Sequence, residues 1–321
     1  MRSKVLTLLK NSQGEYISGE EIARKLQVSR TAIWKHIRDL KEAGYLIQSH
    51  YRKGYSLQSA PDLLLPEELK ANLKTKLLGS EIHYFDDVDS TNNIGKLIAA
   101  KGCLNGSVIV SESQNNGRGR LERGWYSPKS AGIWFSVILK PKMSPQNAPK
   151  FTLLAAVAVA RAIENITGIK CGIKWPNDIL YDGKKLVGIL TEMNAEIDCI
   201  NYIVIGIGLN VNNEEFPEEL TSIATSLKMI KTKTFSRLAL LSEILEQLEQ
   251  EYQKVLLDGF ADTFNAWREY SATLGNEIKV LGIEEQFSGK ALDIDEDGAL
   301  LVETEAGIKK VLAGDVSIRP K

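Results

Sequence analysis

Residues 113–128, SQNNGRGRLERGWYSP, are too rich in glycine for a helix. Arg118, Arg120 and Arg123 stand among glycines 117, 119 and 124, and Trp125 follows directly. Glycine lets backbone approach a ligand closely and adopt conformations closed to other residues. Arginine adds rigid, permanently charged forks that match carboxylate and phosphate oxygens. The stretch therefore reads as a loop that invites an anionic ligand. Taken alone, it fits a solvated loop or a weak nucleic-acid patch as well.

A chain of 321 residues is expected to divide into two or three domains. Its apolar and charged fractions are those of a globular protein. Cys103, Cys171 and Cys199 form no close pair and no metal-ligand spacing, which points to a reducing cytoplasm rather than a disulfide framework. The basic start, MRSKVLTLLKNSQGEY, has too short an apolar stretch for a signal peptide. The most apolar run, residues 151–160, is broken by Arg161 and far too short to span a membrane, so it reads as a core helix.

Charge is unevenly spread. Residues 1–60 hold 11 Lys and Arg against 5 Asp and Glu, a surplus of +6, while the whole chain sums to −1. A basic segment on an otherwise acidic chain is the footprint of a nucleic-acid module. Within it, Ser18 and Glu21 form a capping box for a helix over 19–26, with Ile22 and Leu26 on one face. After a short turn, Ser29 caps a second helix reaching about Ala43, ended by Gly44. Ile33, Ile37 and Leu40 point inward there, leaving Arg30, Thr31, Trp34, Lys35 and Arg38 outward. This describes a helix-turn-helix whose reading helix offers Ser29, Arg30, Thr31, Trp34, Lys35 and Arg38 to DNA. YLIQSHYRKGYSLQ then reads as a β-hairpin wing. The competing reading is a helical hairpin that merely docks on the next domain.

The segment APDLLLP at 60–66 reads as a linker, and 63–78 as a helix. A strand over 81–88 ends in the polar cluster Asp89-Ser90-Thr91-Asn92-Asn93, suited to cap a helix from about Ile94 to Lys101. Strands are expected at 107–113, 133–139, 186–192 and 200–207, and helices at 149–165 and 234–258. The string GIGLN at 206–210 lacks the third glycine and following helix of a dinucleotide fingerprint. No P-loop occurs. From Ala272 the texture changes to short alternating runs with glycine turns, as in a small barrel. Asp293, Asp295 and Asp297 imitate a calcium loop, but Thr304 stands where a bidentate Glu is required, so Asp297-Gly298 reads as a hairpin turn.

A second motif, KWPNDILYDGKKLVGILTE at 174–192, follows the arginine loop. The blocks GRGR…W.SP, KWPND and KL.GIL.E together resemble the biotin protein ligase family, in the long bacterial form that also represses the biotin operon. The resemblance covers nearly the whole chain. It implies an α+β multidomain architecture: a winged helix-turn-helix domain at 1–60, a mixed-sheet α/β ligase domain at 61–271, and an SH3-like β-barrel at 272–321. The ligase domain would be of the class II aminoacyl-tRNA-synthetase and lipoate-ligase type.

The resemblance also implies the ligands: biotin, ATP with its Mg²⁺, the biotin carboxyl carrier protein of acetyl-CoA carboxylase, operator DNA and a second copy of the chain. Ser90, Thr91, Asn92, Gln114, Gly119 and Gly188 would hold biotin. Arg118 and Lys185 would be catalytic, with Arg120 bridging carboxylate and α-phosphate. Trp125 would stack on adenine, Asn177, Asn210 and Arg123 would contact the nucleotide, and Asp178 would orient the arginines or help bind Mg²⁺. At Leu121-Glu122 the chain departs from relatives that carry further basic residues.

The chemistry is consistent with this. His36, His50 and His83 are scattered, and no metal-hydrolase cluster or GxSxG triad is present. Cations, amides and an aromatic without an obvious nucleophile suit adenylation, where the substrate carboxylate attacks the α-phosphorus of ATP. Trp175 and Pro176 are equally compatible with core and turn roles, and Lys184 with a solvent-facing one. Two other functions stay open at this point: a lipoate ligase, disfavoured by the intact KWPND and GRGR blocks, and a sensor-repressor without chemistry, disfavoured by Arg118 and Lys185.

Overall fold

The computed structural model describes residues 1–282 and 286–313, with the backbone of a last strand at 317–320. The expected terminal run GIKKVLAGDVSIRP lies partly outside the described residues. Two compact units divide between Leu73 and Lys74.

The first unit holds α1 (Arg2–Asn11), α2 (Gly19–Leu26), α3 (Arg30–Glu42), a hairpin of β1 (Leu46–His50) and β2 (Gly54–Ser59), and α4 (Pro66–Asn72). Ser18 Oγ accepts the Glu21 N–H at 3.0 Å, and Ser29 Oγ accepts that of Ala32 at 3.1 Å. The carboxylate of Glu21 pairs with Lys25 at 2.8 Å. At the end of α3, Gly44 (φ +93°) donates to Lys41 and Tyr45 to Leu40, a Schellman closure that only a residue tolerant of left-handed backbone makes cheaply. Ile22, Ile33, Ile37 and Leu40 are buried as the periodicity requires.

One element was not foreseen, and two expectations need correction. The opening residues form α1, which buries Val5, Leu6 and Leu9. The unit also runs past residue 60: Leu64, Leu65 and Leu69 are buried, and α4 is tied to α1 by the pairs Arg2–Glu67 and Lys10–Glu68. The expected linker is therefore core. The helix drawn over 63–78 stops at Asn72, because in the second unit the N–H groups of Lys76, Leu77 and Leu78 all donate to the carboxylate of Glu249, at 2.7, 2.8 and 2.7 Å. A charged acceptor that takes three successive amides outcompetes a helical turn.

The second unit is built on a seven-stranded mixed sheet. Its chain order is β3 (Ile82–Phe85), α5 (Thr91–Ala100), β4 (Val108–Ser111), β5 (Gly132–Leu139), α6 (Ala148–Thr167), β6 (Gly172–Lys174), β7 (Asp178–Tyr181), β8 (Lys184–Ala195) and β9 (Ile200–Asn210). Then come α7 (Leu227–Lys231), α8 (Arg237–Asp258) and α9 (Ala261–Tyr270). The sheet order is β3-β4-β5-β9-β8-β7-β6, parallel only between β3 and β4.

Strand periodicity of two sorts this sheet into faces. Gly188, Leu190 and Glu192 of β8 lie in register with Gly208, Gly206 and Val204 of β9. Val204 packs with Ala99 of α5, which places these residues on the α5 face. Thr191, one residue out of phase, hydrogen-bonds Thr152 of α6 on the opposite face at 2.8 Å. The middle of helix α6, residues 154–160, is apolar all round and has no exposed surface, because sheet and α8 cover both its sides. No helix among the described residues is long and apolar enough to cross a membrane.

The chain closes with an antiparallel sheet of β10 (Glu277–Leu281), β11 (Gln286–Ile294), β12 (Leu300–Thr304), β13 (Gly307–Val311) and β14 (Ser317–Pro320), in the order β13-β12-β11-β10-β14. Asp295 and Asp297 form the β11–β12 turn, and both pair with Lys310 at 2.6 and 3.0 Å. Trp175 joins this sheet to the central one: its Nε1 donates to Gly298 O at 3.1 Å and its N–H to Thr273 Oγ1 at 2.9 Å. At 1% exposure it is a core residue.

Candidate active site and DNA-reading face

A cleft opens on the α5 face of the central sheet, between α5, the loop at 113–128 and the middle of β8 and β9. Of the residues singled out from sequence, it brings together Ser90, Thr91, Asn92, Gln114, Arg118, Gly119, Trp125, Asn177, Lys185 and Gly188.

One end is a polar cradle. Ser90 occupies the N-cap of α5 but makes no side-chain cap bond, and Thr91 and Asn92 fall inside the first turn, so the helix begins three residues earlier than its cap reading implied. The side chains are engaged elsewhere. Gln114 Oε1 accepts from Thr91 N–H (2.9 Å) and Oγ1 (3.2 Å), while its Nε2 donates to Ser127 Oγ at 2.8 Å. Ser136 Oγ on β5 lies 2.8 Å from Thr91 Oγ1 and 2.7 Å from Asn92 Oδ1. Asn92 Nδ2 donates to Leu190 O and to Glu192 Oε2, at 3.1 and 2.9 Å.

The floor is glycine. A Cβ on Gly206 would sit 2.1 Å from Asn92 Oδ1, and one on Gly208 would sit 2.2 Å from Trp125 Nε1. A Cβ on Gly188 would meet the same indole, 2.9 Å from its nearest ring carbon. Glycine weakens a strand interior unless something must approach its backbone closely, and here two side chains do. Gly206 and Gly208 were missed from the sequence, as were the lining residues Ile189, Leu190 and Ile207. The available signal was the GIG string inside a run otherwise β-branched.

The other end is cationic. Arg118 Nη2 donates to Asn93 Oδ1 and lies 3.7 Å from Glu192 Oε1, while its buried Nε has no partner. Lys185 Nζ is 2.6 Å from Asp178 Oδ1 and 5.1 Å from the Trp125 ring centre. The Trp125 Nε1 is likewise buried without a partner. Lys184 turns away, donating to Thr221 O at 3.2 Å, so the structure selects Lys185 of the two lysines.

Four other predicted residues lie off the cleft wall. Arg120 donates to Ala313 O and, at 3.4 Å, to Asn177 Oδ1. Arg123 is exposed on the loop, beyond a tip where Leu121 and Glu122 both take left-handed backbone (φ 54° and 55°). Asp178 stands behind Lys185. Asn210 is buried at the end of β9, its Nδ2 donating to Thr225 O at 3.1 Å and its Oδ1 unpartnered.

In the first unit, Ser29, Arg30, Thr31, Trp34, Lys35 and Arg38 are all exposed on α3. Arg38 lies 5.2 Å from the Trp34 ring centre. The Ser29 hydroxyl is the helix cap, leaving four side chains and a threonine hydroxyl as the outward set.

A polar cradle, a glycine floor and two converging cations, one with a buried unpartnered N–H, define a ligase-type site for a carboxylate substrate beside a phosphate. Comparison with known proteins agrees. The biotin/lipoate A/B protein ligase family model matches residues 84–210, an HTH domain model residues 2–56, and the biotin protein ligase C-terminal domain model residues 273–319. The bifunctional ligase/repressor BirA of Bacillus subtilis is 41% identical, with 99% of this chain and 98% of that protein aligned. That of Escherichia coli is 28% identical, with 98% and 96% aligned. The biotin protein ligase of Aquifex aeolicus, solved in complex with biotin and ATP, superposes with a TM-score of 0.67 at 32% identity, over 75% of this chain and all of that one. The chain belongs to the biotin protein ligase family, in its bifunctional ligase/repressor branch.

Proposed function

We propose that the cleft forms biotinyl-5′-adenylate from biotin and ATP and passes the biotinyl group to a lysine of the biotin carboxyl carrier protein of acetyl-CoA carboxylase. The observation that carries this reading is the buried, unpartnered Nε of Arg118 beside the polar cradle. A buried guanidinium N–H without an acceptor is costly, and an incoming carboxylate or phosphate oxygen would satisfy it.

Ser90, Thr91, Asn92 and Gln114 hold the ureido head group, and Gly119 and Gly188 let backbone and ligand come close. Arg118 and Lys185, with Arg120, neutralise the carboxylate and α-phosphate as the carboxylate oxygen attacks phosphorus and pyrophosphate leaves. The carrier lysine amine then attacks the anhydride carbonyl carbon, and AMP leaves. Trp125 stacks on adenine, while Asn177, Asn210 and Arg123 contact the nucleotide. Mg²⁺ would accompany the triphosphate, needing only one or two protein carboxylates, and Asp178, paired with Lys185, would be one of them. No cluster of three or more potential ligands is present among the described residues.

The remaining assignments complete this reading. The five-stranded terminal sheet is an SH3-like barrel over 272–321 that helps close the site, and the ligase domain, drawn from the sequence as 61–271, begins with the second unit at Lys74. The chain works in the cytoplasm as a homodimer, whose paired α3 helices enter two half-sites of operator DNA with the adenylate as corepressor.

Biotin-dependent ATP–pyrophosphate exchange on purified protein, with lipoate and octanoate as controls, tests the ligase assignment. Exchange with biotin alone is expected, and exchange with lipoate alone would move the site to the sister activity. Gly206→Ala is expected to weaken biotin binding by about tenfold or more, because the new Cβ displaces Asn92 and its bonds. Titration calorimetry with biotin checks this, and an unchanged affinity would remove Asn92 from the head-group site. Arg30→Ala with Lys35→Ala is expected to leave exchange intact and to weaken operator binding, flattening the log–log salt dependence by about 2. An unaltered salt slope would discard α3 as the reading helix.

A further inference from the structure

We propose that Glu192 is a positioning residue for adenylate formation, a single carboxylate that orients both the amide of Asn92 at the head-group end and the guanidinium of Arg118 at the charged end. The proposal rests on the site assignment above. Glu192 ends the motif KLVGILTE and lies on the cleft face of β8, two residues beyond Leu190.

Its two oxygens face different partners. Oε2 accepts from Asn92 Nδ2 at 2.9 Å, whereas Oε1 takes Lys96 Nζ at 2.7 Å and lies 3.7 Å from Arg118 Nη2. An ionised carboxylate only accepts hydrogen bonds. The Asn92 amide must therefore turn its NH₂ toward Glu192 and Leu190 O, which points its oxygen at Ser136. A reversed amide would set oxygen against two acceptors.

The geometry at Arg118 is looser by design of the same group. Lys96, on α5, takes the close position at Oε1, so Glu192 holds the guanidinium nearby without saturating it. Arg118 keeps its Nε free for a ligand oxygen. Burial pushes the Glu192 carboxyl up, but hydrogen bonds from Lys96 and Asn92 and the charges of Lys96 and Arg118 outweigh it and hold the group below the ordinary carboxylate range. The carboxylate is thus ionised at neutral pH.

The test uses the full chain and steady-state pyrophosphate exchange with biotin and ATP varied separately. Glu192→Gln cannot accept from all its neighbours at once and leaves Lys96 and Arg118 without their shared counter-charge. Its KM for biotin is expected to rise about tenfold or more, with a smaller change in kcat, and Glu192→Asp should recover part of the loss. A folded Glu192→Gln protein with KM for biotin within about twofold of wild type overturns the proposal. Should that variant not fold, Lys96→Met carries the same test. It frees Oε1 to close on Arg118, so KM for biotin should rise about threefold, and an unchanged value overturns the proposal. Absence of exchange in the wild-type protein would instead overturn the site assignment, and this inference with it.

Discussion

Arg118→Ala is expected to lower biotin-dependent pyrophosphate exchange by about 10²- to 10³-fold, the usual loss on removing one preorganised donor from a developing anion. The residue is placed for that role by three constraints. Glycines on either side allow the loop to turn tightly, and Gly117 leaves no room for a side chain, since a Cβ there would lie 2.5 Å from Trp125 O. The Gly117 carbonyl accepts the Trp125 N–H at 2.7 Å and the Gly119 N–H reaches Arg123 O at 2.7 Å, closing the loop on itself. Asn93 then holds one end of the guanidinium, leaving Nε toward the ligand. Arg118→Lys keeps the charge but loses the fork, so it should recover only part of the rate. Single-turnover formation of adenylate separates chemistry from binding. Near wild-type turnover of Arg118→Ala at low biotin would remove the residue from the mechanism.

Arg237→Leu is expected to destabilise the ligase unit by about 3–5 kcal/mol, the cost of leaving one partner of a buried ion pair uncompensated. Arg237 of α8 and Glu112 have no exposed side-chain surface and meet at 2.8 Å; the same Nη1 reaches Gly132 O at 3.2 Å. Glu112 and Gly132 flank the arginine loop, so the pair ties both its ends to α8. For a unit of this size the thermal midpoint should fall on the order of 10 °C. Arg237→Met combined with Glu112→Leu should regain much of that loss, because apolar groups of similar volume replace a buried pair at little cost. Calorimetric scans of the single and double variants check this. A single variant that melts with the wild type would show that water reaches the pair.

Much of this was visible in the residues themselves. The cap of α2 at Ser18, the cap of α3 at Ser29 and the closure at Gly44 follow from contacts within a few residues, which is why their positions were predictable. The buried α6 and β9 were legible because long apolar runs have few alternatives. Helix α1 was overlooked: its burial of Val5, Leu6 and Leu9 depends on α3 and on α4, sixty residues away. The supposed linker failed for the same reason, since nothing local announces that Leu64 and Leu65 meet a core.

The choice between the two adjacent lysines shows where the division falls. By itself the sequence determined the arginine loop and the cations offered to an anion, because residue chemistry and short-range turns suffice for those, and its motif blocks carried the resemblance that implied the reaction class. Only the tertiary structure decided that Lys185 and not Lys184 faces the cleft, since that depends on an irregularity in β8 where it pairs with β7, between Lys185 and Val187, which breaks the strand's simple alternation. It alone revealed Gly206 and Gly208 as the floor, because a glycine's role is set by what lies above it, and Asn92 and Trp125 come from distant segments. It also decided the fate of Glu192, whose partners Asn92, Lys96 and Arg118 converge from two other elements. Chemistry is carried by residue type, but orientation is carried by packing.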